Sequence, residues 1–130
     1  MKRLNARRIE RTTERILDML GINGYVNNIE FRTERSNMYG YMQKAYCGYD
    51  VVIYINECKD EKEVIHTIAH ELRHVYQHKY NASILDNYVD DYVNSYKEYR
   101  EQPSEVDARQ YQHDWCTNKE DIFEFLLNNI

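Results

Sequence analysis

Leu4, Ile9, Thr13, Ile16, Leu17 and Leu20 recur near helical spacing, and the Gly of "GINGY" follows them, so residues 4–20 predict an amphipathic helix. The period then changes to two. In "NIEFRTE", Ile29, Phe31 and Thr33 alternate with Glu30, Arg32 and Glu34, the pattern of a half-buried strand. "MYGYMQKAY" predicts a second strand weakened by Gly40, and after the turn residues of "CGYD" comes "VVIYIN". This third strand is apolar on both faces, which places it inside the protein or along a groove.

"ECKDEKE" ends the strand pattern and leads into a helix over roughly 61–79. Ser83 is positioned to cap another helix, on which Leu85, Tyr88, Val89, Tyr92, Tyr96 and Tyr99 form one face; that tyrosine stripe is expected in the core. Pro103, the only proline, suits the first turn of a further helix, "PSEVDARQYQHDW". Thr117 and Glu120 form a capping-box pattern ahead of a last helix with Ile122, Phe123, Leu126 and Leu127 on one face. A helix, about three strands and then four helices, with no repeat or linker between them, predict a single α+β domain over residues 1–130.

Composition narrows the function classes. Residues 1–44 hold 9 basic and 5 acidic side chains, against 8 and 17 in residues 45–130, so the acidic second half does not suit a broad nucleic-acid surface. The basic cluster Lys2, Arg3, Arg7, Arg8, Arg11 and Arg15 is expected to be the solvated face of the first helix. Cys47, Cys58 and Cys116 are widely spaced and lack a Cys-x-x-Cys pair, which indicates neither a disulfide framework nor a thiolate zinc knuckle. With no apolar signal or membrane-spanning run, the expected location is the cytoplasm, away from membranes.

Candidate chemistry concentrates in "EVIHTIAHELRHVYQHKY", where His66, His70, His74 and His78 stand four residues apart. "HELRH", residues 70–74, has the His-Glu-x-x-His spacing that lets two imidazoles one helical turn apart face one zinc ion. At about 100° per residue, His74 lies about 40° from His70, and Ile65, Ile68, Ala69, Leu72, Val75 and Tyr76 occupy the opposite side. If later helices cover the histidine face, it becomes the wall of a cleft. Four residues of helix rise about 6 Å against metal–nitrogen bonds of about 2 Å, so one ion bridges two successive turns and not four. His66 and His78 are therefore expected to make no metal contact.

No glycine follows to turn the chain and return a third histidine. The third ligand is expected on another helix, and Glu105 is the choice: it lies in the first turn after Pro103, where its charge suits the helix dipole. Ala108, one turn on, lets that helix come close. Glu101 precedes the proline in a less rigid segment, and His113 lies two turns further along. Asp107 is expected to accept a hydrogen bond from a ligand histidine. Arg73 is expected to pair with an acid or meet solvent.

"HELRH" followed by "EVDA" on a separate helix resembles the gluzincin zinc metallopeptidases, particularly the compact minigluzincins and the ImmA/IrrE-type peptidases of phages and bacteria. The likeness runs from "VVIYIN" to Arg109. It implies a small zincin-like domain, His70, His74 and Glu105 as zinc ligands, Glu71 as general base, and "VVIYIN" as the strand that pairs with an extended substrate. Arg109 departs from the Asp that many larger gluzincins carry four residues after the ligand Glu. SprT-like proteins use a third histidine instead, which keeps His113 open as an alternative ligand.

These residues lead to a zinc metalloendopeptidase acting on a peptide or protein substrate, with Glu71 taking a proton from a metal-activated water. The tyrosines and His113 are candidates for stabilising the oxyanion. The alternative is a non-catalytic module in which zinc only staples helices, although structural sites usually hold four ligands rich in cysteine and such a site gives Glu71 no task. A DNA-associated regulator acting through the basic first helix is a weaker alternative. The sequence sets neither the substrate nor the oligomeric state.

Overall fold

A computed structural model describes residues 4–115. The order of elements is α1 (Ala6–Leu20), β1 (Val26–Arg32), β2 (Gly40–Ala45), β3 (Gly48–Tyr54), α2 (Glu61–Tyr80), α3 (Tyr96–Glu101) and α4 (Pro103–Asp114), with short 3-10 turns between. The fold is α+β: four helices and one mixed three-stranded sheet among the described residues. None of these helices is long and apolar enough to cross a membrane.

Local chemistry sets the helix ends. The Asn5 side chain accepts a hydrogen bond from the Arg8 amide and opens α1, and Gly21 closes it in the left-handed region at φ 68°. Asp60 accepts from the Glu63 amide and opens α2, whose first turn carries Glu61 and Glu63 and whose last turn carries His78 and Lys79, as the helix dipole favours. Ile9, Ile16 and Leu20 of α1 and Ile65, Ile68, Ala69, Leu72 and Val75 of α2 form the core with Val51 and Ile53 of β3. The apolar side of α2 is thus the one its periodicity marked.

The strand order is β1-β3-β2, with β1 parallel and β2 antiparallel to β3. Its uniformly apolar sequence puts β3 in the centre, where Val51, Val52 and Ile53 are all buried. Both edges of β3 are therefore already paired, so the expectation that "VVIYIN" receives a substrate strand is corrected: among the described residues the unpaired edges belong to β1 and β2. Gly40 pairs with Ile53, and Tyr39 accepts a hydrogen bond from the Tyr54 amide at 2.8 Å. By the alternation of antiparallel ladders, Tyr39, Tyr41 and Gln43 bond inward to β3, and Gly40, Met42 and Lys44 turn their backbone groups to the free edge.

The expected tyrosine-faced helix after Ser83 does not form. Ala82–Leu85 is a 3-10 turn, Asp86 to Ser95 is irregular, and only Tyr96–Glu101 is helical. Asp86 and Asn87 in a turn, with Asn87 at φ 59°, and the Asp91 side chain accepting from the Asn94 amide show why: Asn and Asp favour such local backbone conformations over a continuous helix. Tyr88 and Tyr96 stay exposed instead of entering the core. The last expected helix, opened by Thr117, lies outside the described residues.

Gly40 allows β2 to lie close to α2, because a Cβ there would stand 2.6 Å from the Val52 carbonyl and 3.0 Å from Thr67 Cγ2. Gly40→Val should therefore lower the stability of the fold by about 1–3 kcal/mol, seen as an earlier urea midpoint, because the clash is partly with backbone and cannot be relieved by a side-chain rotation.

Candidate metal centre

His70 and His74 leave α2 one turn apart, and α4 crosses the same face with Glu105 in its first turn. Pro103 starts α4 at the right place, and the fully buried Ala108 lets the two helices meet without an intervening side chain. His70 Nε2 and His74 Nε2 are 3.3 Å apart. Glu105 Oε1 is 3.2 Å from His70 Nε2, and Oε2 is 2.7 Å from His74 Nε2. Glu105 is 3% exposed and His74 6%, so this is an interior cluster open on one side only.

The arrangement fits a divalent cation. Two nitrogens bound tetrahedrally to one ion at about 2.0–2.1 Å sit about 3.3–3.4 Å apart, close to the spacing found. Glu105 thus stands close to both ring nitrogens, as expected of groups directed at a shared third point. Two imidazole nitrogens and a carboxylate oxygen make a donor set suited to zinc. Donor atoms of His70, Glu71 and His74 also lie within 4.8 Å of one another, so Glu71 stands beside the same point. Glu105 contacts both imidazoles directly and is a second carboxylate beside that point.

The charges reinforce the cluster. Burial alone would push the Glu105 carboxyl up, but the hydrogen-bonding and charge of His70 and His74 outweigh it and hold the group below its ordinary range. Burial likewise works against a charged His74, and the hydrogen bond to Glu105, helped by the charges of Glu71 and Glu105, overcomes it and raises that imidazole. Glu71 behaves differently: burial raises its carboxyl, opposed by His70 and His74. The cluster therefore holds one firmly ionised carboxylate and one with greater affinity for a proton.

A cleft of about 810 Å³ opens over these groups. The edge strand β2 forms one wall and the histidine face of α2 the floor, with Tyr88, Tyr92, Tyr96 and Tyr99 on the far side. Tyr92 packs edge-to-face on both Tyr96 and Tyr99, at 5.3 and 5.4 Å between ring centres. The stripe expected in the core therefore lines the cleft, and sequence reasoning missed it because helical spacing alone does not distinguish a core face from a wall built by turns.

The other expectations sort as follows. His66 and His78 line the cleft on either side of the central pair, and His78 packs on Tyr49 at 5.5 Å. His113 does not line it; Gln112 Oε1, beside it, accepts from His70 Nδ1 at 3.1 Å. Asp107 is corrected: it accepts from Arg73 and from Gln77, and only Gln77 touches His74. Arg73 pairs with Asp107, as expected of a charge on that side of the helix. Arg109 lines the cleft. Gln77 and Gln112 were missed, although Gln77 stands one turn after His74 and Gln112 two turns after Glu105, each on the face that carries its neighbour.

The model of the peptidase family described as the IrrE N-terminal-like domain matches residues 25–109, from the start of the sheet to the turn after Glu105. No curated protein and no solved structure matches the chain. The matched span exceeds half of the chain, and the chain belongs to this family.

Glu105→Ala should weaken zinc binding by roughly tenfold or more, since even partners behind a ligand commonly carry that much. His78→Ala should leave zinc content unchanged. Metal analysis of the dialysed proteins checks both, and the reverse pattern would move the centre along α2.

Proposed function

We propose that this member of the IrrE N-terminal-like family is a compact gluzincin-type zinc endopeptidase whose single domain spans residues 1–130, with His70, His74 and Glu105 as the metal ligands. The observation that carries the reading is the meeting of two Nε2 atoms and a buried carboxylate at one point on the floor of a cleft. Three donors leave a position for solvent, as catalytic sites do and four-ligand structural sites do not. Zinc held there supplies Lewis acidity toward the scissile carbonyl and lowers the pKa of a bound water toward neutrality.

Glu71, next to His70 and within reach of the same point, accepts the proton of the attacking water and delivers it to the departing amine. Its buried carboxyl suits both halves of that transfer, because burial raises its affinity for a proton. An extended peptide adds to the free edge of β2, bonding to the backbone groups of Gly40, Met42 and Lys44. That placement runs the substrate across the floor formed by α2, between β2 and the tyrosines. The phenol of Tyr99 is pushed upward by burial and by Glu105, so it stays protonated and remains a hydrogen-bond donor on that wall.

Glu71→Gln should retain zinc and lose cleavage of a peptide library by between about a hundredfold and ten-thousandfold. Zinc retained with equal cleavage would remove Glu71 from the proton transfer. Zinc bound by both forms with cleavage by neither would favour the stapled, non-catalytic module.

A further inference from the structure

Each imidazole at the centre has a second ring nitrogen, and the groups that hold it decide what the first can do. His74 Nδ1 is 2.8 Å from Gln77 Oε1. The orientation of that amide follows from its other contacts: Gln77 Nε2 lies 2.9 Å from the Ser104 carbonyl and 2.8 Å from Asp107 Oδ2. A carbonyl and a carboxylate only accept, so the amide NH₂ must face them and the amide oxygen must face His74. That oxygen only accepts in turn. His74 therefore carries a hydrogen on Nδ1, which frees the Nε2 lone pair for a ligand in the cleft.

Asp107 is itself fixed. Arg73 Nε and Nη2 donate to its two oxygens at 2.8 and 3.2 Å, in the paired geometry of a guanidinium and a carboxylate. The guanidinium packs over the rings of Tyr76 and Tyr111, at 4.3 and 5.0 Å, which limits its freedom. Gln77 and Ser104 are fully buried, so water does not compete for the bond between them. The hydrogen bonds thus converge on Asp107, with Arg73 donating to it from one side and His74 donating to Gln77, which in turn donates to it, from the other. On the other imidazole, Gln112 reaches His70 Nδ1 at 3.1 Å from the partly exposed side of α4.

We infer that Gln77, set by Arg73 and Asp107, is the positioning residue that presents His74 Nε2 to the metal, with Gln112 doing the same for His70. The inference rests on the metal-centre reading above but not on peptidase activity. Its consequence is that ligand geometry is stored in the α2–α4 contact, away from the cleft, and that both imidazoles are held by neutral amides instead of carboxylates.

The test measures zinc affinity by chelator competition for the full chain, together with the imidazole N–H signals of the zinc-loaded protein by ¹⁵N NMR. Gln77→Met, which keeps the length and packing of the side chain but has no amide, should weaken zinc binding by roughly 10- to 100-fold and abolish a slowly exchanging Nδ1–H signal from His74. Gln112→Met should cause a smaller loss, and Asp107→Asn, which can still accept from Gln77, a loss of a few-fold. If Gln77→Met does not fold, Asp107→Asn and Gln112→Met carry the test, and zinc affinity unchanged in both would overturn the inference. Unchanged affinity in a folded Gln77→Met, with the His74 signal intact, would do the same and leave the metal centre standing. Failure of the unaltered chain to bind zinc would overturn the centre and this inference together.

Discussion

Two imidazoles separated by one helical turn and a carboxylate from a crossing helix occupy one small volume, and most of the molecule serves to hold them there. Bringing polar groups to the interior carries a desolvation cost that is tolerable only when they are paired. Here Glu105 meets His70 and His74, and each imidazole has an amide behind it. The close approach of α2 and α4 that makes this possible depends on a small residue at Ala108 and on the start of α4 at Pro103.

The sheet contributes by what it leaves unpaired. With β3 in the centre and β1 and β2 on either side, it is the edge of β2 that lies beside the histidines among the described residues. Gly40 lets that strand settle against Thr67 on α2, so the edge and the centre share one cleft. The tyrosines complete the enclosure from a segment that is mostly turns. Their rings pack on one another edge-to-face, which gives order to a wall with little regular backbone structure.

The two faces of α2 divide the labour of the fold. Ile65, Ile68, Leu72 and Val75 anchor it to α1 and the sheet, and His70, Glu71 and His74 look the other way. Gln77 belongs to neither set by composition, yet it is fully buried and joins the centre to the Arg73–Asp107 pair. The cleft is thereby supported from behind by charged and amide groups where an apolar contact could not orient an imidazole.

Local periodicity and local spacing determined the α1 and α2 helices, the three strands, the Pro103 helix and the candidate set His70, Glu71, His74 and Glu105. These are properties that a few neighbouring residues impose on their own backbone and on the direction of their side chains. Tertiary structure alone decided that β3 is central and that β2 is the edge strand on the cleft, because strand order depends on pairings between distant segments. It alone placed the tyrosines of residues 88–99 on a cleft wall, where turn-forming Asn and Asp overrode their helical spacing. It also decided which end of Gln77 meets His74, since an amide is oriented by all of its partners at once, and two of those, Ser104 and Asp107, reach it only when α4 packs on α2.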